Sequence, residues 1–305
     1  MGLRRTRVDH ARPADRYDAV ADASAALVIR SYSSSFGLAS GLLAPQIRGD
    51  VRNIYALVRV ADEIVDAPRP DQDAAQRRLA LDHLEAQTLD AIGSGASTNL
   101  IVHAFARTAR RTGIDGSLIT PFFASMRADL DPQPHDTASL QTYIHGSAEV
   151  IGLMCLRVFV AELPEPETVY RELSEGARRL GAGFQKVNFL RDLGVDGTDL
   201  GRGYLVDLDP ADPDEAVWRA WLDDVDADLA AAATIIPRLP ADSRIAVCVA
   251  HDLFAELSAR LRATPARVAA RHRVRVSGPV KLRIAARVVF RGGMPVESVG
   301  GVGKR

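Results

Sequence analysis

Lysine is nearly missing from this chain. Lys186, Lys281 and Lys304 are the only three in 305 residues, and arginine supplies the rest of the 38 basic side chains, set against 39 Asp and Glu. The net charge of −1 removes any whole-molecule attraction to nucleic acid, so no nucleic-acid partner is expected. Cysteine is scarce as well. Cys155 and Cys248 stand far apart with no second Cys or His at ligand spacing, which argues against a disulfide framework or a zinc site; both read as small buried apolar residues. Long apolar runs are also lacking. The longest, Val150–Leu156, stops at Arg157, well short of the roughly 20 residues of a spanning helix. The N-terminal segment carries charge but no apolar stretch of a secretory signal, so the expected location is cytoplasmic. What remains is 47% hydrophobic and 25% charged residues, the balance of a globular chain long enough to bury a sizeable core.

Apolar residues recur at three- and four-residue spacing almost throughout, and no series of short alternating runs appears. The pattern predicts helices near 16–32, 46–67, 71–93, 98–112, 117–129, 137–162, 166–194, 213–236, 241–262 and 265–290. Breakers between them include Pro68, Pro70, Gly93, Gly95, Pro132, Pro134, Pro164 and Pro166. One all-α domain over 16–290 follows, with a flexible N-terminus at 1–15 and a flexible, Gly-rich tail at 291–305. From Arg260 to Arg305 the chain holds 12 Lys or Arg and one acid, Glu297. This is either a solvated basic face or, over 260–291, a patch for anionic lipid headgroups that would place the protein peripherally on the inner membrane face.

Two stretches hold paired carboxylates at helical spacing. In Tyr55–Asp66, the residues Tyr55, Arg59, Asp62 and Asp66 fall on one stripe, with Ile54, Leu57, Val60, Ala61, Ile64 and Val65 on the other side. In Gln185–Asp196, a second stripe runs Gln185, Asn188, Asp192, Asp196, on a helix otherwise made of Val187, Phe189, Leu190 and Leu193. Stacked carboxylates repel, and buried amides are costly without partners, so both stripes point to a wet internal cavity and to a cation. Hard oxygen ligands suit Mg²⁺, with Mn²⁺ as a substitute. No P-loop, dinucleotide fingerprint or Gly-x-Ser-x-Gly is present.

Four segments carry a resemblance. They are Ser31–Leu43 (SYSSSFGLASGLL), Val51–Asp66 (VRNIYALVRVADEIVD), Tyr143–Met154 (YIHGSAEVIGLM) and Gly181–Asp196 (GAGFQKVNFLRDLGVD), the last followed by Gly201–Leu205 (GRGYL). In order and spacing the chain resembles the squalene and phytoene synthase family, most of all its bacterial phytoene synthases, over roughly 16–290. The resemblance implies an isoprenoid-synthase helical bundle around a central cavity. It implies a prenyltransferase of carotenoid biosynthesis that joins two geranylgeranyl diphosphates head to head, through a cyclopropyl diphosphate, to phytoene. It implies Asp62, Asp66, Asp192 and Asp196 as metal ligands. Arg59, Gln185, Asn188, Arg202, Ser33 and Ser35 are implied at the diphosphates, and Tyr143 near the leaving group. Several positions depart from the family pattern: Glu63, His145, Glu149, Val195, Val206 and His251.

Diphosphate leaves carbon only when its charge is neutralised, which Mg²⁺ with Arg59 and Arg202 would do. The carbocation left behind needs dry apolar walls. Candidate walls are Phe36, Leu38, Ala148, Ile151, Gly152, Met154, Cys155 and Phe184. The small residues at 146, 148 and 152 serve equally well as room for a tail or as close helix contacts. The final proton goes to released diphosphate or to Tyr143. No NADPH is expected for phytoene. A C30 synthase acting on farnesyl diphosphate is the nearest rival, and a non-catalytic lipid-binding relative a more distant one.

Overall fold

A computed structural model describes residues 13–32, 35–66, 72–198 and 204–295, without the side chains of 13, 35, 36 and 194–198. Its helices, in chain order, are α1 (Pro13–Tyr32), α2 (Ser35–Gly41), α3 (Pro45–Asp66), α4 (Ala74–Ser94), α5 (Leu100–Thr112), α6 (Gly116–Ala128) and α7 (Thr137–Ile144). A five-residue π turn, His145–Glu149, joins α7 to α8 (Val150–Val160). Then come α9 (Pro166–Thr198), α10 (Glu215–Ile235), α11 (Ala241–Arg262), α12 (Ala266–Ala269) and α13 (Gly278–Phe290). No strand occurs among the described residues.

The helix starts follow local chemistry. The Asp73 carboxylate accepts from the Gln76 backbone while the Gln76 side chain reaches back, and Asp136 with Ser139 repeats the device before α7. Asn99, Asp115 and Asp214 cap α5, α6 and α10 through their side-chain oxygens. Gly95 and Gly113 end α4 and α5 at φ of 89° and 75°, where a side chain would be strained.

Helices α1, α3 and α5 pack together, α4 lies on α5 and α6, and α8 sits between α3, α6 and α9. On the other side α10 covers α9, and α11 carries both α2 and α13. The largest apolar cluster joins Ile54, Leu57, Phe105, Phe122, Phe123, Met154 and Leu156; a second surrounds Trp218 with Val187, Leu190 and Leu222. Thr137–Val160 forms one continuous rod that is long and apolar enough to cross a membrane, longer than the run visible as unbroken apolar sequence; most of it is buried inside the bundle.

Three expectations need correction. Residues 13–15 already belong to α1, so the polar N-terminal segment stops earlier than 15. The chain forms α2, a helix that its Ser- and Gly-rich sequence conceals. The single helix expected over 265–290 is broken between α12 and α13. Pro279 lacks the N–H that a helix interior requires and instead opens α13 in its first turn.

Candidate active site

The first aspartate motif occupies the last turns of α3. Ile54, Leu57, Ala61 and Val65 are buried, whereas Tyr55, Arg59 and Asp62 keep some accessible surface and Asp66 is exposed. The helix ends on Asp62, Glu63 and Asp66 with no basic residue in its final turn. Backbone carbonyls already make that end negative, so the acids add charge where the helix least tolerates it. Arg59 answers part of it, pairing with Glu63 and laying its guanidinium over the Tyr32 ring at 4.5 Å. Burial, then the Asp66 and Asp129 carboxylates, push the Asp62 carboxyl up to about 7, against the pull of Arg59.

Asp129 is the residue that sequence reasoning missed. It follows α6 in a turn and has no partner at helical spacing to mark it. Its two oxygens accept hydrogen bonds from the Tyr143 and Tyr204 hydroxyls, each at 2.8 Å. The Tyr204 ring stacks on Phe189 of α9 with centroids 4.4 Å apart, so the cluster ties the α6–α7 turn to the second motif helix. Burial first, and then Asp129 and Tyr204, hold the Tyr143 hydroxyl well above its ordinary value. At neutral pH it keeps its proton and donates. That corrects the expectation of Tyr143 as a final base: its geometry is that of a hydrogen-bond donor. Replacing Asp129 with Ala strands two buried hydroxyls and should cost about 2–4 kcal/mol, whereas Tyr204→Phe should cost only about 1 kcal/mol. Urea unfolding of the two variants checks the difference.

On α9, Val187, Phe189, Leu190 and Leu193 are buried, and Gln185, Asn188 and Asp192 keep partial access along one stripe. The neighbouring Lys186 points elsewhere, to Asp224 and Asp228 of α10. Asp192 is held between Arg191, whose Nε lies 3.0 Å away, and Arg273, whose Nε lies 2.9 Å from it across the fold. Arg273 was not singled out from sequence. It sits in the α12–α13 connection, within a run of alternating arginines that reads as surface. The side chains of Ser35, Phe36 and Asp196, and residues Ser33 and Arg202 altogether, lie outside the described residues.

Cys155 reveals the space between these elements. Burial pushes its thiol up to about 12, yet the residue retains accessible surface. The same holds for Asp62. A side chain deep among protein atoms that still meets solvent lines an internal hollow. Ile151 and Phe184 also keep access; Phe184 stacks on Phe254 at 3.8 Å. Met154 is part of the packed core and Leu38 packs against α11 and α13, so neither is a wall on this evidence of packing. The small residues divide differently from the two equal readings. A Cβ on Gly152 would stand 2.5 Å from the Ala177 carbonyl oxygen, and one on Gly181 would stand 2.6 Å from that of Ala148. Gly146 presses directly on Pro121 and Ser125 of α6. These absences of side chain serve helix contact. Surface clefts near Asp212–Glu215 and near Ala74–Asp82 include none of the residues above.

Two departures acquire structural explanations. Glu149 at the end of the π turn pairs with His145 at 2.9 Å and Arg178 at 2.8 Å. His251 is buried between Asp252 and the Leu229 carbonyl, each 3.1 Å from a ring nitrogen, and takes no part in the aspartate cluster.

Do these groups suit a divalent cation? Asp62 and Asp66 supply hard oxygens at a helix end already overloaded with negative charge, and Asp62 cannot ionise comfortably without a counter-charge. That set fits. Among the described residues no three Asp, Glu, His or Cys converge on one point, so such an ion would complete its shell with water and phosphate oxygens, as Mg²⁺ commonly does.

The profile of the family described as squalene/phytoene synthase matches residues 29–279. Among curated proteins, phytoene synthase 3 of Zea mays is 32% identical over 203 residues, which is 65% of this chain and 44% of that protein. The 15-cis-phytoene synthase of Synechocystis is 31% identical over 185 residues, 58% of this chain and 53% of that protein. The chain thus spans about half the length of the curated relatives it matches. In fold it is similar to a dehydrosqualene synthase solved with a ligand (TM-score 0.74, 20% identity, 92% of this chain and 99% of that one). It is also similar to the squalene synthase HpnC of Alicyclobacillus acidocaldarius (TM-score 0.64, 18% identity, 91% and 96%). With the profile running from α1 into α13 and across both aspartate helices, the chain belongs to the squalene/phytoene synthase family.

Proposed function

We propose that this protein is a metal-dependent prenyltransferase that joins two geranylgeranyl diphosphates head to head to form phytoene. One observation carries the reading most. Asp62 lies deep in the bundle at an acid-rich helix end, beside an accessible hollow that Ile151 and Cys155 line with apolar surface. A site with that polarity repels a bare anion and accepts it with a cation. The curated relatives named phytoene synthases favour the C20 donor.

A divalent ion held by Asp62 and Asp66, with Asp192 and Asp196 opposite in the family pattern, would neutralise charge developing on the departing diphosphate. The chain's own residues do the rest. Arg59, anchored by Glu63 and Tyr32, presents fixed positive charge beside Asp62. Arg273 and Arg191 bring two more guanidiniums to Asp192, where they can pass to phosphate oxygens. The Tyr143 and Tyr204 hydroxyls, both turned to Asp129, fix the polar rim while the apolar wall at Ile151 and Cys155 keeps water from the carbocation. Because Tyr143 keeps its proton, the last proton of the sequence is assigned to released diphosphate.

The test is a product analysis. Purified protein with Mg²⁺ and either the C20 or the C15 diphosphate is expected to give a C40 hydrocarbon from the former and little from the latter, and none in EDTA. A C30 hydrocarbon formed preferentially from farnesyl diphosphate would move the protein to the dehydrosqualene or squalene reaction. No hydrocarbon from either donor would remove the enzymatic reading.

A further inference from the structure

We propose that α13 docks this protein on an anionic lipid surface through an outward apolar stripe set in a basic border. The helix is apolar on two opposite faces. Ile284, Ala285 and Val288 are buried against Cys248, Val249 and Leu253 of α11. At about 100° per residue, Leu282, Ala286, Val289 and Phe290 form the opposite stripe. That stripe faces water: Leu282 is 63% exposed, Val289 47% and Phe290 94%, and Met294 just beyond is 47% exposed. A phenylalanine so fully exposed beside three other large apolar groups needs an occupant.

The surrounding charge says which occupant. From 263 to 296 the chain has eight Lys or Arg and no Asp or Glu. Arg271, Arg275 and Arg283 are exposed around the stripe. Arg287 and Arg291 lean toward Asp252, which fixes the helix to α11. A second copy of the same face would set these arginines against their own images, which opposes self-pairing. A bilayer carrying acidic headgroups satisfies both parts at once, taking up the apolar stripe below and the guanidiniums at headgroup level. The surface also adjoins the site. Helix α2 shares the α11 seat with α13, and Arg273 in the preceding connection reaches Asp192. The docking surface stands on these observations alone, independent of the reaction proposed above.

Flotation with vesicles tests it. The full chain should bind vesicles of phosphatidylcholine with 30% phosphatidylglycerol at low salt, bind pure phosphatidylcholine weakly, and be released as salt rises. The double variant Leu282→Ser/Phe290→Ser should bind the anionic vesicles about tenfold more weakly, because apolar transfer is lost. Arg275→Glu/Arg283→Glu should show a similar loss with a flatter salt response. Both variants should keep the wild-type melting temperature, since all four side chains are exposed. Absence of wild-type binding to anionic vesicles overturns the proposal, as does unchanged binding by the serine variant. A dimer in sedimentation equilibrium that the serine variant abolishes, without vesicle binding, would assign the stripe to a second copy instead.

Discussion

Asp62→Asn lowers turnover by about 10²–10³-fold and, at pH 8 without metal, makes the protein more stable than wild type. The two effects have one origin. The Asp62 carboxyl is pushed up to about 7 in the folded chain and titrates near 3.9 when unfolded. The folded state therefore holds its proton more tightly. That contribution to stability is fully present below about pH 4 and is lost as pH rises through 7, amounting to at most about 4 kcal/mol. Asparagine carries no such loss. The melting temperature of metal-free wild type should fall between pH 5 and pH 8, and that of the variant should stay level and exceed it at pH 8 by about 5 °C or more. Added Mg²⁺ at pH 8 should raise wild type and leave the variant unmoved. Calorimetry across that window, with a hydrocarbon assay beside it, checks both halves. A fully active variant, or a wild type that gains stability with rising pH, would contradict the assignment.

Gly146→Ala should be the most damaging single methyl group that can be added to this chain. Its Cβ would be driven into the Pro121 carbonyl and the Ser125 hydroxyl of α6, and backbone yields less than a side-chain tip. Ser125 Oγ is itself engaged, donating to the Tyr143 carbonyl at 3.0 Å. The expected loss is about 3 kcal/mol or more, seen as a melting temperature lower by roughly 6 °C or more. Gly49→Ala supplies the contrast. Nothing stands within 4 Å of a Cβ there, and the residue is inside α3. It should raise stability by up to about 1 kcal/mol through helix propensity. Equal melting temperatures for the two variants would show that α6 and the π turn are not in the contact described.

The all-α fold was legible because amphipathic helices write their period into the sequence. The α3 and α9 stripes needed only the 3.6-residue turn: Ile54, Leu57 and Ala61 are buried where the period puts them, and Gln185, Asn188 and Asp192 share an accessible face. What period does not encode was not legible. Asp129 belongs to a turn, and its importance comes from two tyrosines 14 and 75 residues away. Arg273 reaches Asp192 over 81 residues. The division of the small residues between packing and hollow depended on which carbonyl lies opposite each one. The interruption before α13 was signalled by Gly278 and Pro279, but the apolar positions on both sides kept the same rhythm and masked it.

The wide turn at His145–Glu149 closes with the Val150 N–H bonded to the His145 carbonyl, five residues back. It therefore holds one link more than an ordinary helical turn. Removing any single residue from it would let the rod rewind and swivel everything after it by about 100°. Ile151 and Cys155 would then face a different neighbour from the one they face now, while Tyr143 stayed in place. The number of residues in this stretch is thus as tightly specified as their identity, and tolerance to substitution there need not bring tolerance to deletion.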